Sequence, residues 1–169
     1  GRFLDETFQG IRNGSLTEIG LKSKGANPKD YATIPDMESE RLLIGRMKDA
    51  FPGLPILAEE TQSGVLFPEG RGIAIDPLDG TRGFRHGTGE YAVSITRFED
   101  GRAVWCVVYA PSVYSGLHSP YRGELFAAIR GEGVELNRSP LRKINPDADL
   151  KSSLIATGWN YFTDPEYLA

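Results

Sequence analysis

Cysteine is almost absent from this chain: Cys106 is the single one in 169 residues. A lone thiol excludes an internal disulfide framework. Its seat in the apolar run AVWCVVY reads as a buried small hydrophobe, which points to a reducing, cytoplasmic setting. Histidine is scarce as well. His86 and His118 stand far apart and lack metal-motif spacing, so nothing here indicates a zinc-type centre. No apolar run approaches the roughly 20 residues that a helix needs to span a bilayer, and no charged-then-apolar leader opens the sequence. A soluble protein with no membrane partner is the expectation. Lys and Arg are scattered and the net charge is -4, so the electrostatic footprint of a nucleic-acid-binding surface is missing and no nucleic acid polymer is expected as a partner. Internal repeats and low-complexity tracts are absent too.

What is present suffices for a core. Apolar residues make up 40% of the chain, and a polypeptide this long hides about 70% of its unfolded surface on folding. One domain, or one domain with part of another, is expected.

The segment RFLDETFQGIRN carries Leu4, Phe8 and Ile11 at helical spacing, and Asn13-Gly14 is a suitable stop. A short strand is expected in TEIGLKSK, then a mobile loop in KGANPKD. MESERLLIGRMKDAF, residues 37 to 51, places apolar residues at Met37 and Ile44 and at Leu43, Met47 and Ala50, which predicts an amphipathic helix. Its entry TIPD offers Thr33 and Asp36 as caps at the positive end of the helix dipole. PILA (55 to 58) and GIAI (72 to 75) read as strands. Downstream, YAVSITRF and AVWCVVYAP flank an Asp100-Gly101 turn, a strong hairpin signal. SVYSGLHS, GELFAAIR and GVELN extend an antiparallel meander, with turns at YRG and GEG. SSLIAT reads as a further strand, and GWNYFTDPEYLA follows it.

Both early strands run straight into acid, Glu59-Glu60 after the first and Asp76 after the second. Carboxylates held at strand ends are rigidly placed yet reach solvent. Asp36, Glu59, Glu60, Asp76 and Asp79 all stand at edges of predicted elements; brought together without a counter-ion they would repel one another and raise their pKa values. A cation relieves that repulsion, and oxygen-only ligation indicates a hard ion, Mg2+ or Mn2+. The string IDPLDGTRGF is itself a turn signal. As a site, it would give Asp76 and Asp79 to a metal pair, with the Leu78 carbonyl as a further ligand. Gly80 would allow close backbone approach, and Thr81 would open a segment whose free N–H groups hold phosphate. Two metals beside an anion site are the apparatus of phosphate ester hydrolysis. The alternative, a solvated acidic surface, stays open on these grounds.

The strings KDYATIPD (29 to 36), ILAEET (56 to 61), IDPLDGTRGF (75 to 84), GEYAVSI (89 to 95) and CVVYAP (106 to 111) resemble the inositol monophosphatase family. That superfamily of Mg2+-dependent, Li+-sensitive phosphomonoesterases also contains 3'-phosphoadenosine 5'-phosphate phosphatases and fructose-1,6-bisphosphatases. The resemblance implies that Glu59, Asp76 and the Leu78 carbonyl hold a first metal, Asp76 and Asp79 a second, and that Glu60 supports the ligand shell. It further implies that Asp36 orients the Thr81 hydroxyl to activate a water for in-line attack, while the Gly80 and Thr81 amides grip the phosphate of a small phosphorylated metabolite. DGTRGF followed by GEYAVSI leans slightly toward the nucleotide-phosphate and bacterial branches. One departure stands out: the family takes another second-metal Asp from a downstream Trp-Asp motif, whereas here Trp105 precedes Cys106 and Trp159 precedes Asn160. The resemblance thus implies the N-terminal two-thirds of the fold: an α+β metal-binding domain over 1–145, two helices on an antiparallel sheet, and the beginning of a second α/β domain over 146–169. A homodimer is a possible assembly.

Overall fold

The computed structural model describes residues 1–23, 31–62, 70–113, 123–141, 149 and 151. The loop expected in KGANPKD, the strand in SSLIAT, most of SVYSGLHS, the GWNYF segment and the 146–169 unit, apart from Asp149 and Lys151, lie outside these residues.

Helix α1, Arg2–Arg12, forms on the predicted pattern, with Leu4 and Phe8 fully buried. The chain leaves it through Asn13 and then Gly14 at φ +75°, a backbone that glycine adopts without steric cost. Of the strand expected in TEIGLKSK, only β1, Leu21–Ser23, forms; it pairs antiparallel with an unforeseen strand β2, Tyr31–Thr33.

Helix α2, Ile34–Ala50, starts three residues before the predicted Met37. Thr33 caps it, Asp36 closes a reciprocal capping box, and Pro35 sits in the first turn, where the missing N–H costs nothing. Its inward stripe departs from the expected apolar face. Asp36, Ser39 and Glu40 are buried, Leu43, Ile44 and Met47 are partly buried, and Met37 and Ala50 are exposed. One continuous face therefore runs polar for its first half and apolar for its second; Met37 falls off it by helical rotation, whereas Ala50 lies in line with the face but is the last residue of the helix.

Strand β3, Ile56–Ala58, leads into a one-turn helix α3, Glu59–Gln62. Strand β4, Gly72–Asp79, leads into the short helix α4, Thr81–Arg85. The meander then follows as β5 Ala92–Glu99, β6 Arg102–Ala110, β7 Glu124–Ile129, β8 Gly133–Leu136 and an unforeseen β9 Ser139–Pro140. The sheet order is β3-β4-β5-β6-β7-β8-β9. All neighbours are antiparallel except β3 and β4, which are parallel. A parallel pair brings both strands' C-terminal ends, and hence Glu59 and Asp76, to one edge of the sheet. The architecture is α+β, as expected. Cys106, expected in the interior, sits half-buried on β6, as do its neighbours from Val104 to Ala110.

Among the described residues, two clusters form the core. Leu4, Phe8, Leu78, Phe84, Tyr91 and Val93 join α1, β4, α4 and β5; Ala58, Ile73 and Ile75 sit beneath the apolar half of α2. Within the first, Phe8, Phe84 and Tyr91 stack at centroid separations of 4.9 to 5.7 Å, the Phe84–Tyr91 pair edge-on at 86°. Aromatic pairs in this range contribute about 0.5–1.5 kcal/mol beyond simple burial.

Candidate active site

The motif strand owes its shape to a bulge. In regular pleat, residues three apart face opposite ways, so Asp76 and Asp79 would be separated. The register instead runs Asp76 to Ser94 and Asp79 to Ala92, leaving Pro77 and Leu78 together opposite Val93. Two residues against one is a β-bulge, a place where a proline without an N–H is tolerated. The stretch read from sequence as a turn is thus bulged strand as far as Asp79, and the turn begins at Gly80. Leu78 drops into the core at 2% exposure, a burial of about 2 kcal/mol that fixes the bulge. Asp76 and Asp79 consequently come within electrostatic reach of each other.

Gly80 takes φ +83°, and a Cβ there would collide with the Glu90 carbonyl oxygen. A Cβ on Gly83 would lie 2.5 Å from the same oxygen. The start of α4 is pressed against the β5 entry, which sets where Thr81 stands.

The buried polar face of α2 meets this region residue by residue. Asp36, wholly buried, accepts on Oδ2 from the Thr33 N–H at 2.9 Å and from the Thr33 hydroxyl. On Oδ1 it accepts from the Thr81 hydroxyl at 2.9 Å. The Leu78 carbonyl, 3.1 Å from Thr81 Oγ1, is a second possible acceptor for that single proton. Ser39 donates to the Pro77 carbonyl at 3.0 Å. Glu40, 1% exposed, accepts the Glu60 N–H at 2.6 Å.

Asp76 is strongly perturbed. Burial first, then the charge of Glu59, a hydrogen bond with Glu59 and the charge of Asp79 push its pKa from the ordinary 3.8 up to about 8; the Leu78 N–H, donating to Oδ1 at 3.1 Å, pulls the other way. The crowding favours the protonated form of Asp76. Among the described residues, no three His, Cys, Asp or Glu side chains already stand as a finished metal cage. What exists is a Glu59–Asp76 contact with Asp79 nearby. A donor set of carboxylate and carbonyl oxygens, crowded until it holds a proton, fits a hard divalent cation that would displace that proton.

The structure therefore gathers the residues named from sequence. Asp36 is bonded to Thr81, Thr81 touches the Leu78 carbonyl, Glu59 and Asp79 crowd Asp76, Glu60 shares the first turn of α3 with Glu59, and Gly80 forms the hinge into α4. Sequence reasoning missed Ser39 and Glu40. The available signal was their i+3 and i+4 spacing from Asp36, in register with Leu43 and Met47, which makes them part of the inward stripe.

Comparison with known proteins follows the same lines. The inositol monophosphatase family matches residues 4–166. Nus factor SuhB of Haemophilus influenzae is 36% identical over 145 residues, covering 85% of this chain and 49% of the relative. Among solved structures, the extragenic suppressor protein SuhB from Bartonella henselae is 30% identical with TM-score 0.66, covering 83% of this chain and 48% of that one. An IMPase of Thermotoga maritima is 27% identical with TM-score 0.62, covering 83% and 50%. The chain spans about half the length of these relatives.

Proposed function

The chain belongs to the inositol monophosphatase family, and on that premise we propose a Mg2+-dependent phosphomonoesterase acting on a small phosphorylated metabolite, inositol monophosphate or 3'-phosphoadenosine 5'-phosphate. The observation that carries this reading is the part-buried Asp36–Thr81 hydrogen bond beside the crowded Glu59, Asp76 and Asp79.

Glu59, Asp76, the Leu78 carbonyl and Asp79 would hold the metal, with Glu60 behind them. A divalent cation bound there supplies positive charge against the phosphoryl oxygens and acidifies water. The protein's own part begins at Thr81. Its one proton goes to the Asp36 carboxylate, because a charge-assisted bond outcompetes the neutral Leu78 carbonyl. That choice leaves the Thr81 oxygen lone pairs turned away from Asp36, so that in a relay the oxygen can take a proton from an attacking water while the hydroxyl's own proton passes to Asp36 Oδ1. It also leaves the Leu78 carbonyl available for ligation. The Gly80 and Thr81 amides lie ahead of the first intrahelical bond of α4, from the Phe84 N–H to the Gly80 carbonyl at 3.0 Å, so the helix itself makes no use of them. They would bind phosphate oxygens.

The test is phosphate release by the intact protein with Mg2+ from each of the two esters, alongside Asp79→Asn. Release that survives Asp79→Asn undiminished would remove Asp79 from the metal set. A second reading is favoured by the names of relatives such as the 36%-identical Nus factor SuhB: a regulatory protein that keeps the metal and phosphate site while acting through a macromolecular partner. No phosphate release from either ester, with Mg2+ still bound, would favour it.

A further inference from the structure

Asp36, Ser39 and Glu40 occupy one face of α2, and each reaches a different segment of the site. Asp36 holds Thr81 on α4, Ser39 holds the Pro77 carbonyl in the β4 bulge, and Glu40 holds the Glu60 N–H on α3. We propose that Glu40 is a positioning residue: its carboxylate fixes the first turn of α3, and with it the Glu59–Glu60 pair, to the helix that also places Asp36. The inference rests on the metal-site reading above and deepens it.

Three observations carry it. Helix α3 is one turn of four residues, EETQ; a helix so short does not stabilise itself. The amides of its first turn need an acceptor, and the acceptor for Glu60 comes from α2, twenty residues back in sequence, at the short distance of 2.6 Å. An acid is also a costly choice for a purely structural cap. Glu40 is 1% exposed, and its Oε1 has no hydrogen-bond partner among the described residues. Local rules of polar satisfaction are broken mainly where function demands it. The 36, 39, 40 spacing makes one rigid helix the common reference for water-activating, bulge and metal-ligand segments, so their relative positions do not depend on three loops.

The test is Mn2+ affinity of the intact protein, read from the electron paramagnetic resonance of free Mn2+, for wild type, Glu40→Gln, Glu40→Asp and Glu40→Ala. Gln keeps an oxygen at the same reach, whereas Asp keeps the charge and withdraws the oxygen by one methylene. Positioning predicts that Gln stays near wild type and that Asp and Ala lose affinity by about tenfold or more, the scale seen when partners behind metal ligands are removed. The reverse order, Asp near wild type and Gln weakened, would mean that Glu40 contributes only charge and overturns the proposal. Lowered melting temperatures with unchanged Mn2+ affinity in every variant would make Glu40 a structural residue and overturn it equally. Should Glu40→Ala not fold, the Gln and Asp pair decides alone. Wild type that binds no Mn2+ at all would sink the metal-site reading itself, and the inference with it.

Discussion

Thr81 and Asp36, 45 residues apart in sequence, meet at 2.9 Å between a half-buried hydroxyl on α4 and a wholly buried carboxylate on α2. The other oxygen of Asp36 is already taken by Thr33, so the carboxylate cannot turn away from Thr81 without orphaning two donors. Asp36→Asn keeps an acceptor for Thr33 only by turning its NH2 toward Thr81, which then sends its proton to the Leu78 carbonyl. Phosphate release is expected to fall by about 10²- to 10⁴-fold, the scale of a lost proton-transfer group, with a stability loss of about 1–3 kcal/mol. Thr81→Ala should match the rate loss and Thr81→Ser should restore most of it. Steady-state rates and urea unfolding check both parts, and an active Asp36→Asn would disprove the relay.

Acid and cation compete at Asp76. Its native pKa is raised from 3.8 to about 8, chiefly by burial and then by Glu59, so between those values the folded chain holds a proton that the unfolded chain has released. That contribution to stability is fully present below about pH 4 and is lost as pH rises through about 8. In chelator, the melting temperature should therefore decline across this window, while the increment from Mg2+ should grow as protons cease to compete. Differential scanning calorimetry with and without Mg2+ reads both slopes. A Mg2+ increment that shrinks with rising pH would show that Asp76 is not displaced of its proton by the metal.

Gly80 and Gly53 separate strain from collision. Both have positive φ, +83° and +80°, but a Cβ on Gly53 meets nothing within 4 Å, whereas one on Gly80 strikes the Glu90 carbonyl. Gly53→Ala should cost only the left-handed backbone penalty of about 1–2 kcal/mol. Gly80→Ala should cost more and should also displace Thr81, so its rate falls even among folded molecules. Chemical denaturation paired with rate measurement distinguishes them; equal losses for the two variants would mean that the α4–β5 contact does not set the site.

Much of this arrangement could be read from the chain alone. Leu4 and Phe8 declared α1, the Asp100-Gly101 turn declared the β5–β6 hairpin, and the acids at strand ends named the carboxylates that the sheet crowds together, Glu59, Asp76 and Asp79. Strand β2 with three residues and β9 with two carry no periodicity to detect; they exist because a neighbour offers a ladder. Ser39 and Glu40 went unread in the sequence: burial of an acid such as Glu40 is rare, and only the fold supplies the Glu60 amide that accounts for it. The bulge was hidden for a related reason. Pro77 next to Leu78-Asp79-Gly80 has the composition of a turn, and only pairing against Val93 reveals strand geometry.

Phe84 ties the site to the core, which makes stability and activity separable by comparison. It is fully buried three residues after Thr81, edge-on to Tyr91 at 4.9 Å and 5.7 Å from Phe8. Phe84→Ala should cost about 3–5 kcal/mol, and Ile73→Ala, in the other cluster, about 2–5 kcal/mol. Ile73 pairs in regular register with Ile56 and Arg97, before the bulge, so its cavity leaves the Thr81 turn in place. Phe84 is the only fully buried residue of the five in α4, and without its ring the helix loses its hold on α1 and β5. At temperatures where both variants remain folded, Ile73→Ala is therefore expected to keep its turnover rate and Phe84→Ala to lose it, with Phe84→Leu between them. Rates corrected for the folded fraction decide the matter: if the two alanine variants lose activity only in proportion to unfolding, α4 is held by its backbone against Glu90 and not by the aromatic cluster.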